Sequence, residues 1–367
     1  MEHNVCSMCG SVLSETEVFT FNGQTLCEEC LEDNTVFCSD CGTRIWNEDN
    51  AGTDNFPLCQ HCYEQSYTNC CHCGRPILFD DACYQEFDSD DNEPYCQRCY
   101  NALSKDAIHD YYYKPEPIFR GIGPRYMGVE LEIDGSGEYT PNARQILDIA
   151  NGSGELIYCK HDGSLDDGFE IVTHPMSLEF HRHGMPWQEV MHRAVELGYL
   201  SHQAGTCGLH VHVSRAAFGV DEEVQDMVIA RILYFVEKHW NELLKFSRRT
   251  QRQLDRWAAR YGYKDRPAEM MEHVKKGYGN RYTCVNLTNR ATIEFRIFRG
   301  TLKYNTLIAT LELVDRICDV ALALPDDALK ALSWSDFVSG CTEPELIQYL
   351  KERRLYLNEP VNSEVDI

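Results

Sequence analysis

Glu130, Glu132, Glu170, His210, Glu294 and Arg296 are the residues of this 367-residue chain whose types and spacing could do chemistry. Each sits in a short segment where apolar and polar residues alternate, the signature of a strand with one buried face. In GVELEID, Val129, Leu131 and Ile133 point one way, Glu130 and Glu132 the other. In GLHVHVS, Leu209, Val211 and Val213 oppose His210 and His212. In ATIEFRIF, Ile293, Phe295 and Ile297 oppose Glu294 and Arg296. In FEIVTH, Glu170 shares its face with Val172 and His174; in RYTCVNL, Arg281, Thr283 and Val285 oppose Tyr282 and Asn286. Four carboxylates and one imidazole are a ligand set for Mg²⁺ or Mn²⁺. Facing one cavity, the carboxylates repel each other unless cations sit among them. Arg296 follows Glu294 on the same face and can clamp a phosphoryl group through two hydrogen bonds. Such a set points to phosphoryl transfer from ATP. No Walker A pattern is present, so another fold would have to hold the nucleotide.

The elements that must position these residues can be read around them. Strands are expected at Met127–Asp134, Phe169–His174, Leu209–Ser214, Arg281–Leu287 and Thr292–Phe298. Helices are expected at Asn142–Ala150, Pro186–Leu200, Glu222–Phe246 and Asn305–Leu324. In the long helix, Val224, Val228, Ile232, Phe235, Val236, Trp240 and Leu243 form one stripe. This alternation predicts an α+β fold, a mostly antiparallel sheet with helices on one face. Thr342-Glu-Pro-Glu345 reads as a capping box that opens a final helix, with residues 358–367 fraying beyond it.

The first hundred residues follow a different rule. Cys6-x2-Cys9-Gly, Cys38-x2-Cys41-Gly and Cys70-x2-Cys73-Gly stand 32 residues apart. Cys27-x2-Cys30, Cys59-x2-Cys62 and Cys96-x2-Cys99 close the three units after gaps of 17, 17 and 22 residues. This is zinc-site spacing, and three tandem copies predict three structural Zn²⁺ ions. Each unit reads as a knuckle, a hairpin (Asn22-Gly23 marks the first turn) and a helix opened by the second pair. The pattern resembles a treble-clef or LIM-like module, without the His ligand and fused sites of true LIM domains. Cys71 and Cys83 are left over outside the pairs, and His61 and His72 are histidines that could substitute as ligands, though the twelve paired cysteines already complete the three sets. The expected organisation is zinc modules at 1–33, 34–65 and 66–103, a linker at 104–120, a catalytic domain at 121–330 and a helical segment at 331–367.

Charge narrows the partners. Net charge is −24, and residues 1–110 hold 21 Asp and Glu against 4 Lys and Arg. An array this acidic repels phosphate backbones, so no nucleic acid is expected. A basic protein partner would suit it. No apolar run reaches membrane-spanning length, and MEHNVCSMCG lacks the charged and apolar regions of a signal peptide. With regular CxxC pairs, this predicts a reduced, cytoplasmic setting.

GVELE, KHDGSLDDGFEIVTHP, CGLHVHVS and NRYTCVNLTNRATIEFRIFRGTL, in that order, resemble the amidoligase family over residues 121–325. That resemblance implies a fold like glutamine synthetase and γ-glutamylcysteine ligase, and ATP-dependent amide formation through an acyl phosphate. It implies metal-binding roles for Glu130, Glu132, Glu170, His210 and Glu294. Arg296 would bind phosphate and Arg281 substrate or phosphate, with Glu132, Arg281 and Arg296 at the reacting centre. Carboxylate and amine substrates follow, small or polypeptide. Two other readings are a non-catalytic zinc adaptor with an inactive ligase-like domain and a guanidino phosphotransferase. The basic stretch Lys245–Lys276 has two readings as well. Its arginines, Arg248 and Arg249 first, could meet ATP or an acidic substrate. Alternatively, Arg252, Arg256, Arg260, Lys264 and Arg266 form a solvated face paired with Asp255, Asp265 and Glu269. Cys159, Cys284, Cys318 and Cys341 read as core thiols, and His181, His183 and His192 as surface histidines. Cys207 near His210 raises a Cys–His nucleophile only by proximity.

Overall fold

The computed structural model describes residues 4–14, 16, 18–84, 93–103, 107–152, 154–278 and 281–357. The fraying expected at 358–367 lies outside them. The chain divides into two compact units, Met1–Ser104 with Tyr112–Pro115, and Lys105–Tyr111 with Glu116–Ile367.

In the first unit, the twelve paired cysteines gather into three groups of four. Each knuckle closes on a glycine whose N–H donates to the carbonyl of the first cysteine, at 2.8–2.9 Å. Gly10, Gly42 and Gly74 take φ of 70–77°, which is why glycine follows every first pair. The Asn22-Gly23 hairpin turn has φ of 44° and 78°, joining Phe19–Phe21 to Gln24–Leu26. Helices Glu28–Asn34, Gln60–Ser66 and Gln97–Leu103 each begin right after the first cysteine of the second pair and contain its second cysteine. The Cys27 and Cys59 sulfurs cap the first two, accepting from the N–H of Cys30 and Cys62 at 3.4 Å. Sulfur–sulfur distances between pairs are 3.7, 3.8 and 3.7 Å. A tetrahedral ion with Zn–S of about 2.3 Å spaces its sulfurs by about 3.8 Å. Knuckle N–H groups, Cys9's first, hold the Cys6 thiol at about 6, a thiolate at neutral pH. Neighbouring sulfurs push Cys30 and Cys62 upward. Four sulfurs this close can all be thiolates only with a cation among them, and each group could hold one. His61, His72, Cys71 and Cys83 stand outside these groups.

The second unit is built on a seven-stranded sheet: β1 (Ile108–His109), β2 (Met127–Ile133), β3 (Ile157–Lys160), β4 (Phe169–Thr173), β5 (Gly208–Ser214), β6 (Val285–Asn286) and β7 (Thr292–Arg299). Its order is β6-β7-β5-β2-β4-β3-β1, antiparallel except for β1 with β3. The apolar face of β2, β5 and β7 is fully buried: Val129, Leu131, Ile133, Leu209, Val211, Val213, Ile293, Phe295 and Ile297. One core joins it to α1 (Thr140–Ala150), α2 (Trp187–Glu196), α3 (Glu222–Lys238), α4 (Trp240–Ser247), α5 (Tyr304–Ala323) and α6 (Pro344–Glu352). The opposite face is left to the charged residues.

Several local expectations are corrected. The helix read over Glu222–Phe246 breaks at His239 (φ −104°, ψ 31°) into α3 and α4. The His239 ring packs 4.6 Å from Phe235 and 5.7 Å from Trp334, and the change in backbone direction keeps Trp240 and Leu243 in the core. Val224 is exposed, so the stripe begins at Val228. Arg281–Leu287 is strand only at Val285–Asn286; Thr283 instead bridges to Ala259 in parallel. Two strands went unforeseen because they are short: β1, within the stretch read as a linker, and β3. The final helix starts after Glu343, without the reciprocal box. Its Leu346 N–H is taken by the buried Glu312 carboxylate at 2.8 Å, a long-range substitute for a local cap. His181 is fully buried, its Nε2 3.0 Å from the Met127 carbonyl, while His183 and His192 are exposed. Cys159, Cys284, Cys318 and Cys341 are buried.

Candidate active site

Strand register assembles the charged face. Glu130 lies opposite His210 on β5, and Glu132 opposite Glu170 on β4. Glu294 on β7 lies opposite His212 and Asn286. These pairings place residues from five strands side by side, although they span about half the chain in sequence.

His210 is the centre. Its Nδ1 is 3.1 Å from Glu130 Oε2 and 3.7 Å from Glu294 Oε1; its Nε2 is 3.7 Å from Glu132 Oε1. Glu130, His210 and Glu294 form one group that could hold a cation, and Glu132, Glu170 and His210 a second. A neutral imidazole has one lone pair and one N–H, so it can ligate on one side only. The two groups therefore share a residue but cannot use it alike. The donor set, carboxylates with a single imidazole, fits a hard divalent cation.

Neighbours orient the ligands. His212 Nε2 is 3.0 Å from Glu130 Oε1. Asn286 Nδ2 donates to Glu294 Oε2 at 2.8 Å, and Arg296 Nη1 pairs with Glu294 Oε1. The Gly208 N–H donates to Glu132 Oε2. Burial raises the Glu130 carboxyl, but the charge of His212 and hydrogen bonds from His210 and His212 outweigh it and hold Glu130 well below its usual range. Glu132 and Glu170 are instead pushed up. Burial leads in both; Glu130 adds to it at Glu170, against Lys160 opposite on β3. The chain thus compensates Glu130 and leaves the Glu132–Glu170 side short of positive charge, which a cation there would supply.

The predicted residues divide. Glu130, Glu132, Glu170, His210, Glu294 and Arg296 come together. Arg249 joins them beside Gly208, drawn by the Glu132 charge. Arg281 is exposed, its guanidinium 5.2 Å from the Tyr282 ring and 5.8 Å from the Tyr111 ring, within the field of Glu294. Arg248 lines an adjoining pocket that Arg249 also lines. The rest of the basic stretch mostly follows its solvated-face reading: Arg266 pairs with Glu269 as expected, whereas Arg260 pairs with buried Glu237 at 2.8 Å and Arg256 stacks on Trp257. Cys207 is pushed to about 12 by burial and its sulfur contacts Thr206 rather than an imidazole, so a thiolate nucleophile has no support.

Two residues of the site were missed. Asn286 carried a signal, as a polar residue on the charged side of its alternation. Gly208 carried none. A Cβ there would meet Arg249 Nη2 at 2.6 Å, His210 Nε2 at 2.8 Å and Glu132 Oε2 at 3.4 Å. Gly208→Ala should therefore leave the fold intact yet push Arg249 and His210 aside. Mn²⁺ affinity, read by calorimetric titration, should fall about tenfold or more. Unchanged affinity would place the cation elsewhere.

Residues 150–318 match the family described as "Putative amidoligase enzyme". The match covers Glu170, His210, Glu294 and Arg296; Glu130 and Glu132 precede it. No curated protein matches the chain. Among solved structures, a bifunctional glutathione synthetase from Pasteurella multocida shares 14% identity, with a TM-score of 0.34 over 62% of this chain and 46% of that one. A novel glutamine synthase homologue shares 13%, with a TM-score of 0.34 over 63% and 71%. The complex of the prokaryotic ubiquitin-like protein Pup with its ligase PafA gives 11% and 0.28 over 55% and 48%. The chain thus spans about half the length of the first and third.

Proposed function

We propose that this chain, whose residues 150–318 match the amidoligase family, is an ATP-dependent carboxylate–amine ligase. The observation that carries this reading is the position of His210, with its two nitrogens turned to two separate carboxylate groups. In the proposed reaction, an acid's carboxylate oxygen attacks the γ-phosphorus of ATP, and ADP leaves. The resulting acyl phosphate is attacked at carbon by an amine, which loses a proton as phosphate departs. Atoms balance as acid, amine and ATP giving amide, ADP and phosphate.

Each residue has a task in this reading. Glu130, His210 and Glu294 would hold one divalent cation, Mg²⁺ or Mn²⁺, and Glu132 with Glu170 another. Bound there, the ions would offset the carboxylates' repulsion and stabilise charge on the transferring phosphoryl group. Arg296, anchored by Glu294, would present its remaining N–H groups to the phosphoryl oxygens. Arg281 would meet the nucleotide phosphates, with Tyr282 and the Trp257 ring 5.8 Å from it as an aromatic platform for the base. Arg249 would steady the acid next to Glu132. The three thiolate groups would hold Zn²⁺ structurally, since closed four-sulfur sites leave no position for substrate. The acidic zinc array would recruit a basic partner or polypeptide substrate, in the reducing cytoplasm that suits free thiols.

Incubation with ATP, Mg²⁺ and pools of amino acids or peptides tests this directly. Phosphate release should require both an acid and an amine. Release without an amine would indicate hydrolysis or phosphotransfer. No release from any pool, together with retained partner binding, would favour an adaptor.

A further inference from the structure

A basic pocket of about 500 Å³ opens beside the carboxylate face. Arg249 belongs to both: it lines the pocket, and its Nη2 approaches the position a Cβ on Gly208 would take, next to Glu132. Lys245, Arg248, Arg299 and Arg353 complete the charged lining, His202 and Asn241 add uncharged polar groups, and no carboxylate is among the lining residues.

The arrangement is built rather than incidental. Arg248 ends α4 in the left-handed conformation, φ 59°, where glycine is favoured and an arginine is strained. Arg353 follows α6 and is fixed by donating from Nε and Nη2 to the Lys245 carbonyl at 3.1 and 2.9 Å. Lys245 Nζ donates back to the Arg354 carbonyl at 3.1 Å. The Nε of Arg299 is buried with no hydrogen-bond partner among the described residues. Burial and the charges of Arg248, Arg299 and Arg353 hold His202 down to about 4. So many cations around one hollow repel each other until an anion enters.

The pocket suits an acid better than a nucleotide. Leu244 is its one apolar lining residue, so a base would find no platform. Register also sets its place. Arg299 pairs with Gly208 at one end of β5 and β7, whereas Thr292 pairs with Ser214 at the other. The pocket thus adjoins Glu132 at the Gly208 end. Arg353 lies beyond the family-matched residues, so the segment after them supplies part of the wall.

We propose that this pocket seats the anionic remainder of the acid substrate, a small acid bearing at least two negative charges besides the carboxyl that is activated. The proposal rests on the ligase reading and adds its substrate class. The lining guanidinium groups would bind carboxylate or phosphate alike.

The test is calorimetric titration of the full-length, zinc-loaded protein with tricarballylate and with pyrophosphate, in buffer free of other divalent ions. At least one should bind, and the tighter one tells a polycarboxylate from a phosphorylated acid. Arg248→Gly should weaken binding about tenfold or more without lowering the melting temperature, because glycine accepts the left-handed backbone. Arg353→Gln should weaken it as well, and Arg353→Lys less so. Binding should persist with a non-hydrolysable ATP analogue and Mg²⁺ at saturation. Absence of binding, wild-type binding by Arg248→Gly, or displacement by the analogue would overturn the assignment; displacement would make this the nucleotide's phosphate site. Glu132→Gln should bind the probes at least as tightly, so failure of the ligase chemistry would be seen separately.

Discussion

Glu132→Gln is expected to lower acid- and amine-dependent phosphate release about a thousandfold. Charge stabilisation by a metal ion is worth several kcal/mol, and each ~1.4 kcal/mol is tenfold in rate. Glu132 is 4% exposed, lies opposite Glu170, and its Oε1 is 3.7 Å from His210 Nε2. Glutamine keeps the shape and an oxygen to accept the Gly208 N–H but loses the charge that would attract the proposed cation. Without metal, the variant should melt no lower than the wild type, because a buried neutral amide costs less than a buried carboxylate. Loss of activity with retained stability separates a ligand from a structural residue. Unaltered turnover would mean that the cation assignment is wrong.

The second large effect concerns zinc. Metal analysis of the purified protein should give three zinc ions per chain, and two after Cys6→Ser. Among the described residues of the first module, the small core buries Cys6, Leu13, Leu26 and Leu31. That is too little apolar surface to order such a segment, whereas structural zinc supplies on the order of 10 kcal/mol. Limited proteolysis should therefore cut within residues 4–34 of Cys6→Ser and spare them in the wild type. Phosphate release should be unchanged, since the carboxylate face belongs to the other unit. Parallel loss in Cys6→Ser and Glu132→Gln would make the zinc array part of the catalytic machinery. Retained protection in Cys6→Ser would mean that the module folds without its metal.

How much could be read in advance depended on the range of the interaction. The cysteine pairs were legible because each ligand set is local and repeats at a fixed interval. Glu130, Glu132, His210 and Glu294 were legible because a strand's period of two shows which residues share a face. The exceptions have local causes with distant partners. His181 reads as a surface residue from its neighbours, yet it is buried against Trp187 and the Met127 carbonyl. The break at His239 is invisible in a continuous helical stripe, and the His239 ring there packs on Phe235 and on Trp334, a partner far along the chain.

From the sequence alone came the zinc modules, the α+β class and the inventory of acidic strand faces, since each depends on spacing within a few residues. The tertiary structure alone decided that Glu132 meets Glu170, that one imidazole is shared by two carboxylate groups, and that Arg248, Arg299 and Arg353 line one hollow. Those facts depend on strand order, register and chain reversal. Periodicity tells which way a side chain points; only the folded backbone tells what stands opposite it.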